Sequence, residues 1–312
     1  MRSRSSTARA LPDAGSRALK RESAMKRVFK SKYSYAPLLP AGIIYFVFYL
    51  LPTIMSIFFS MTRWTLTRWE FIGLENFRTF FSETSLNIGF RNTLIYAVVT
   101  CGLKVIFGLV LGTVLTSRIP FKNYLRSVIF FPTLLSTIAV GVTFSDLMHP
   151  SQGIINKTLA LFGMTGPDWL GDTRLALLSV AFVDVWKGVG IATVIYIAGI
   201  LSIPQHYYEA LKIDGGNTFD SFWHLTLPLS RPAMNSVIIL AFIGGLRSFD
   251  LIWAMTKGGP GFTTDLIASI IYKQYQAGFY GLATAGNVIL FIVVSVLAFP
   301  LYKFLNRSEV DL

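Results

Sequence analysis

Apolar residues in this chain fall in long continuous blocks instead of alternating around a wet surface. Six blocks are long enough to cross a ~30 Å hydrocarbon core at 1.5 Å rise per residue. They lie near 36 to 60, 92 to 115, 124 to 147, 175 to 201, 230 to 255 and 284 to 305. The pattern predicts an all-α integral membrane protein of about six transmembrane helices. Span one holds Pro37, Pro40 and Pro52 and runs into Trp64-Thr-Leu-Thr-Arg-Trp69, whose indoles suit plain anchoring at the headgroups. Gly108-Leu-Val-Leu-Gly112 on span two is read as a close helix-packing face.

Composition supports this division. Hydrophobic types make up 53% of the 312 residues and only 14% are charged, whereas soluble domains carry about a quarter. That count argues against a soluble enzyme. The net charge of +12 is expected at one leaflet of a membrane protein, and no DNA-binding motif accompanies it. With the amino terminus inside, 17 Lys and Arg fall on the cytoplasmic side and 8 outside, while Lys104, Lys187 and Arg247 lie in spans. That asymmetry orients the chain with its amino terminus in the cytoplasm. Residues 1 to 35 read as a basic solvated tail, in which Met25, followed by Lys26, Arg27, Lys30 and Lys32, resembles an alternative start. Residues 306 to 312 form a cytoplasmic end. Neither a disulfide framework nor a thiolate cluster can be built from the single Cys101, and His149, His206 and His224 are too scattered for a metal site.

The loop between spans four and five, residues 202 to 228, reads as two short helices. Ser202 and Pro204 suit the start of the first, and Gly215 with Gly216 its left-handed stop. Asn217 caps the second with Asp220 as its third residue, and Pro228 closes the unit. Phe219, Phe222 and Trp223 then form an aromatic face that no bilayer covers. Either the protein's own ends or the headgroups bury it, or another subunit does.

Glu209-Ala210-Leu211-Lys-Ile-Asp214-Gly215-Gly216, with Phe222 and Leu227-Pro228, resembles the Glu-Ala-Ala loop of permease subunits in binding-protein-dependent ATP-binding-cassette importers. Phe71-Ile-Gly-Leu-Glu-Asn-Phe77 and Thr256-Lys-Gly-Gly-Pro-Gly-Phe-Thr-Thr264 are similar to its carbohydrate branch, maltose and glycerol-phosphate type. Leu211 and Gly216 stand where that pattern usually has alanine. The resemblance implies a type I importer permease over residues 36 to 305, pairing with a second homologous permease and an extracytoplasmic solute-binding protein. It also implies that 202–228 docks on an ATPase subunit, through Glu209, Ala210, Asp214, Gly215 and the aromatic face. ATP and Mg would be bound by that partner, because no G-x-x-x-x-G-K-[ST] run occurs here; Lys187-Gly-Val-Gly and Lys257-Gly-Gly-Pro-Gly lack its Lys-Ser/Thr end.

Ionisable groups inside spans need a partner or a pathway. Asp184 and Lys187, like Arg247 and Asp250, are three apart, so each pair either neutralises itself on one helix face or, with Trp186, Asn235 and Asn287, lines a wet cavity for a sugar. Lys104 either snorkels or pairs with one of the acids. The expected function is inward movement of a sugar or polyol by alternating access, with an ion-coupled transporter acting alone as the alternative.

Overall fold

The computed structural model describes residues 38–65 and 67–307. The expected basic tail and most of the carboxyl end therefore lie outside the described residues. By contacts the chain divides into residues 1–55 and 56–312. In the first unit, helix α1, which runs over Leu38–Phe59, has no buried side chain up to Met55.

The second unit begins with a β-hairpin, β1 (Thr62–Trp64) against β2 (Trp69–Phe71), pairing Arg63 with Glu70. Then follow α2 (Glu75–Ser82), α3 (Thr84–Thr116), α4 (Lys122–Leu134), α5 (Thr137–Leu147) and α6 (Ile154–Leu161). The chain continues through α7 (Ala176–Leu201), α8 (Gln205–Ile213), α9 (Thr218–Leu229), α10 (Arg231–Leu246), α11 (Asp250–Met255), α12 (Ile267–Gln276) and α13 (Tyr280–Asn306). Among the described residues α1, α3, α7 and α13 are each long and apolar enough to cross a membrane, and two bent helix pairs bring the number to six.

Two expected spans are broken. Span three divides into α4 and α5, bent by 97°, because Leu135 and Ser136 are extended just after Pro132, which has no N–H to give its own helix. Span five ends at Leu246 instead of 255, and Arg247 to Phe249 separate it from α11. Span two is longer than the apolar block suggested. Helix α3 starts at Thr84, two turns of mixed polar and apolar residues before the continuous apolar stretch begins.

Prolines also explain two π-turns. Leu51 N–H reaches back to Phe46, just before Pro52, and Leu227 N–H reaches back to Phe222, just before Pro228. Widening the turn moves the carbonyl that a proline ring would strike.

Helices α3 and α7 make the most extensive pairing. A Cβ on Gly108 would lie 2.7 Å from the Ala192 methyl, and one on Gly112 2.7 Å from Tyr196 Cβ, so the small residues set the approach as read from the sequence. At one end the core joins Tyr96, Val140, Val180, Val183, Leu251 and Ile252. Beside it Phe80, Leu86, Ile267, Ile271 and Leu282 bind α2 and α12 to α3 and α13.

The Trp64 to Trp69 stretch, expected as an anchor, has a definite shape. It forms the hairpin, with Trp64 stacked on Phe59 at 4.5 Å and facing Tyr280 at 5.5 Å. Asn76 holds the hairpin by donating to the Ser60 and Thr62 carbonyls at 2.9 and 2.8 Å. The Phe71 to Phe77 motif is thus a hairpin-to-helix corner, turned at Gly73 with φ +62.

Candidate functional site

Between α7 and α10 the chain forms a compact elbow of two helices. Ser202 does not cap α8, contrary to expectation; its hydroxyl donates to the Gly199 carbonyl at 2.7 Å, and Pro204 takes the cap position with extended backbone. Helix α8 stops as expected. Gly216 N–H donates to Leu211 O and Gly215 N–H to Lys212 O, the bond pair of a Schellman end, with Gly215 at φ +83. Nothing lies within 4 Å of a Cβ there, so torsion alone demands glycine.

Asn217 then accepts from the N–H groups of Phe219 and Asp220, while the Asp220 carboxylate accepts from the Asn217 N–H at 3.0 Å. This is the expected reciprocal cap. Tyr208 and Thr226 hydroxyls, 3.1 Å apart, tie the two helices together. Glu209, Ala210 and Asp214 are exposed. Ile213 is 87%, Phe219 69% and Trp223 50% exposed. Phe222 is half-buried, edge-on to Trp223 at 5.5 Å, so the open face is Ile213, Phe219 and Trp223 instead of the three aromatic rings; Pro228 is half-buried too.

The intramembrane charges pair differently from the i, i+3 expectation. Lys104 Nζ donates to Asp184 Oδ2 at 2.7 Å, across from α3 to α7, with both side chains largely buried. Either charge alone would be costly in the bundle, and together they satisfy each other. Among the described residues Lys187 has no ion pair; its carbonyl accepts from Thr133 Oγ1 at 3.0 Å. Arg247 and Asp250 share no helix face because the chain breaks between them, and both are exposed. Trp186 packs on Phe144 at 5.1 Å. Asn235 donates to the Leu305 carbonyl at 3.1 Å and is buried, so it joins α10 to α13 instead of lining a cavity.

Asn287 opens on a cavity of about 400 Å³. Its wall is a run of rings: Trp64, Tyr280, Tyr275, Tyr272 and Phe249, each within 6.4 Å of the next. Hairpin, α12 and the start of α13 lie, by the alternation of helices, at the end opposite the elbow.

The Thr256 to Leu266 loop beside it is pinned from within. Asp265, 0% exposed, receives Lys273 Nζ at 2.6 Å and Ser269 Oγ at 2.7 Å. Asn92 donates to the Thr263 and Asp265 carbonyls at 2.8 and 3.1 Å. Lys257 and Phe262 remain exposed at its tip. None of Asn92, Asp265, Lys273 or the tyrosines was singled out from the sequence; an amide at the head of an apolar block was the available signal for Asn92. Among the described residues no group of three His, Cys, Asp or Glu could hold a metal ion.

A bundle of membrane-length helices, two of them broken, with a capped elbow at one end defines a multi-span membrane permease of the type I importer fold. The chain belongs to the family described as the binding-protein-dependent transport system inner membrane component, whose model matches residues 104–310. It is 31% identical over 267 residues to the trehalose/maltose transport system permease protein MalF of Thermococcus litoralis, covering 85% of this chain and 90% of that protein. It is 29% identical over 285 residues to the arabinooligosaccharides transport system permease protein AraP of Bacillus subtilis, covering 88% and 90%. In fold it matches a chain from the crystal structure of a bacterial transporter importing the acidic polysaccharide alginate, with a TM-score of 0.78 at 22% identity, covering 93% of this chain and all of that one. The chain is therefore a multi-pass inner membrane component of a transport system and not an enzyme. Family and relatives favour the ATP-driven importer over the ion-coupled alternative.

Proposed function

We propose that this chain moves a sugar or polyol inward by alternating access, driven by ATP that partner subunits bind with Mg and hydrolyse. Its amino terminus is cytoplasmic, and residues 36 to 305 form the permease domain. The observation that carries the reading is the elbow, Gln205–Leu229, a capped unit whose Ile213, Phe219 and Trp223 side chains stand exposed. A groove in an ATPase subunit satisfies that face, and a stiff helix pair transmits its push. The carbohydrate class rests on the relatives, which are named for trehalose, maltose and arabino-oligosaccharides.

Pairing with a second, homologous permease supplies a partner for α1. An extracytoplasmic solute-binding protein docks over the loop from Thr256 to Tyr280, where Lys257 and Phe262 are exposed. Asp184, Trp186, Lys187, Arg247, Asp250 and Asn287 remain the polar residues proposed for the solute path; Asn235 is a helix tie. Cross-linking from position 210 in cells should capture the ATPase, and Glu209→Lys should reduce its co-purification by charge reversal at the contact. An undiminished complex would show that the Glu209 carboxylate is not at the interface.

A further inference from the structure

The geometry points to the ring-lined cavity as a binding station for a neutral sugar, at the end of the permease where solute arrives. The inference rests on the carbohydrate reading above and narrows it. Trp64 from the hairpin, Phe249 from the break after α10, Tyr272 and Tyr275 from α12, and Tyr280 from α13 converge on about 400 Å³, within the roughly 300–1,000 Å³ of small-ligand sites. Such rings offer negative π-faces to the weakly positive C–H groups on the flat side of a pyranose.

Polar capacity stands around the same space. The Trp64 indole N–H, the hydroxyls of Tyr272, Tyr275 and Tyr280, and the Asn287 amide have no hydrogen-bond partner among the described residues. They supply donors and acceptors for sugar hydroxyls arrayed around the ring edge. Thr284 already donates to the carbonyls of Tyr280 and Gly281, and its oxygen still accepts.

No lining residue is charged. Lys273 on the neighbouring face of α12 is committed to Asp265, and Gln274 is turned to Glu83. A phosphorylated polyol or a uronate would enter without a counter-charge, losing hydration that nothing replaces. A hydrocarbon tail would fill the volume but leave the polar tips unpaired. A neutral sugar satisfies both kinds of wall.

The test uses the assembled transporter in proteoliposomes, with its second permease, ATPase and binding protein. Maltose, trehalose and lactose serve as neutral probes, and glycerol 3-phosphate and galacturonate as anionic ones. Tyr275→Ala, at an exposed position, and Trp64→Phe, which keeps a ring, are compared with the unaltered chain. ATP-dependent uptake should be confined to neutral probes, and Tyr275→Ala should raise KM about fivefold, the size of one ring contact. Trp64→Phe should fall between. Neutral uptake with unchanged KM in both variants overturns the station while leaving the sugar permease intact. Uptake of anionic probes alone overturns the neutral class. Absence of ATP-dependent uptake of every probe defeats the carbohydrate reading itself, and the station with it.

Discussion

The elbow and the Thr256 to Leu266 loop both reverse the chain, at opposite ends of the bundle, yet they are held by different means. In the elbow the bonds that shape the turn are local: Gly215 and Gly216 donate three and five residues back, and Asn217 and Asp220 cap each other. In the loop they are remote. Asn92 reaches from α3 across 171 residues of chain to Thr263, and Asp265 is buried under Lys273 and Ser269. A locally built turn keeps its shape while its outer face stays free for a partner. A turn built from afar is set by the bundle and follows any movement of α3 or α12.

Breaking the remote turn should have the largest effect. Asp265→Ala leaves the Lys273 ammonium without its carboxylate and Ser269 with the Leu266 carbonyl as its remaining acceptor, at a cost of about 3 kcal/mol. Thermal unfolding of the purified complex measures it, and an unmoved transition would show that the loop does not depend on this pair. Next comes Asn92→Ala, which strands two carbonyls and should cost about 2 kcal/mol. Hydrogen exchange should rise over residues 257 to 266 and stay unchanged over 205 to 229; a rise in both would erase the distinction.

Gly215→Val should cost about 1–2 kcal/mol of left-handed backbone strain, since nothing crowds the new side chain. Membrane insertion should persist while solute moved per ATP hydrolysed falls, and normal coupling would dismiss the need for this turn. The smallest expected effect is Asn217→Ala, about 1 kcal/mol for a lost cap, which Asn217→Asp should restore. Faster exchange confined to the first turn of α9 is the signature to seek.

The same difference decides what was legible in advance. Elbow signals lie within a few residues of the groups they satisfy, so the Gly215 stop and the Asn217 cap were readable from the string of letters. Ser202 misled because a hydroxyl after a helix serves the carbonyls behind it as readily as the N–H groups ahead. Helix pairing through Gly108 and Gly112 was legible since small residues at that spacing have one use in a bundle. Pairing of Lys104 with an acid was one of the two readings and is what the structure shows, but its partner Asp184 lies 80 residues away, and Asp184 with Lys187 looked complete. The aromatic cavity was hidden for a like reason: Trp64, Phe249 and Tyr280 come from three separate stretches, each with a sufficient local explanation of its own. The breaks at Leu135 and Arg247 escaped because hydropathy counts apolar residues and is blind to backbone direction.

The seam between α3 and α7 carries a mechanical consequence. With Gly108 and Gly112 seated against Ala192 and Tyr196, and Lys104 clasped to Asp184, sliding by one turn would drive a tyrosine ring into backbone and strip two charges of their partners. The two rods therefore travel as a single beam. Whatever swings during a transport stroke must articulate elsewhere, at the joints near Leu135 and Ser248, where the helices are interrupted.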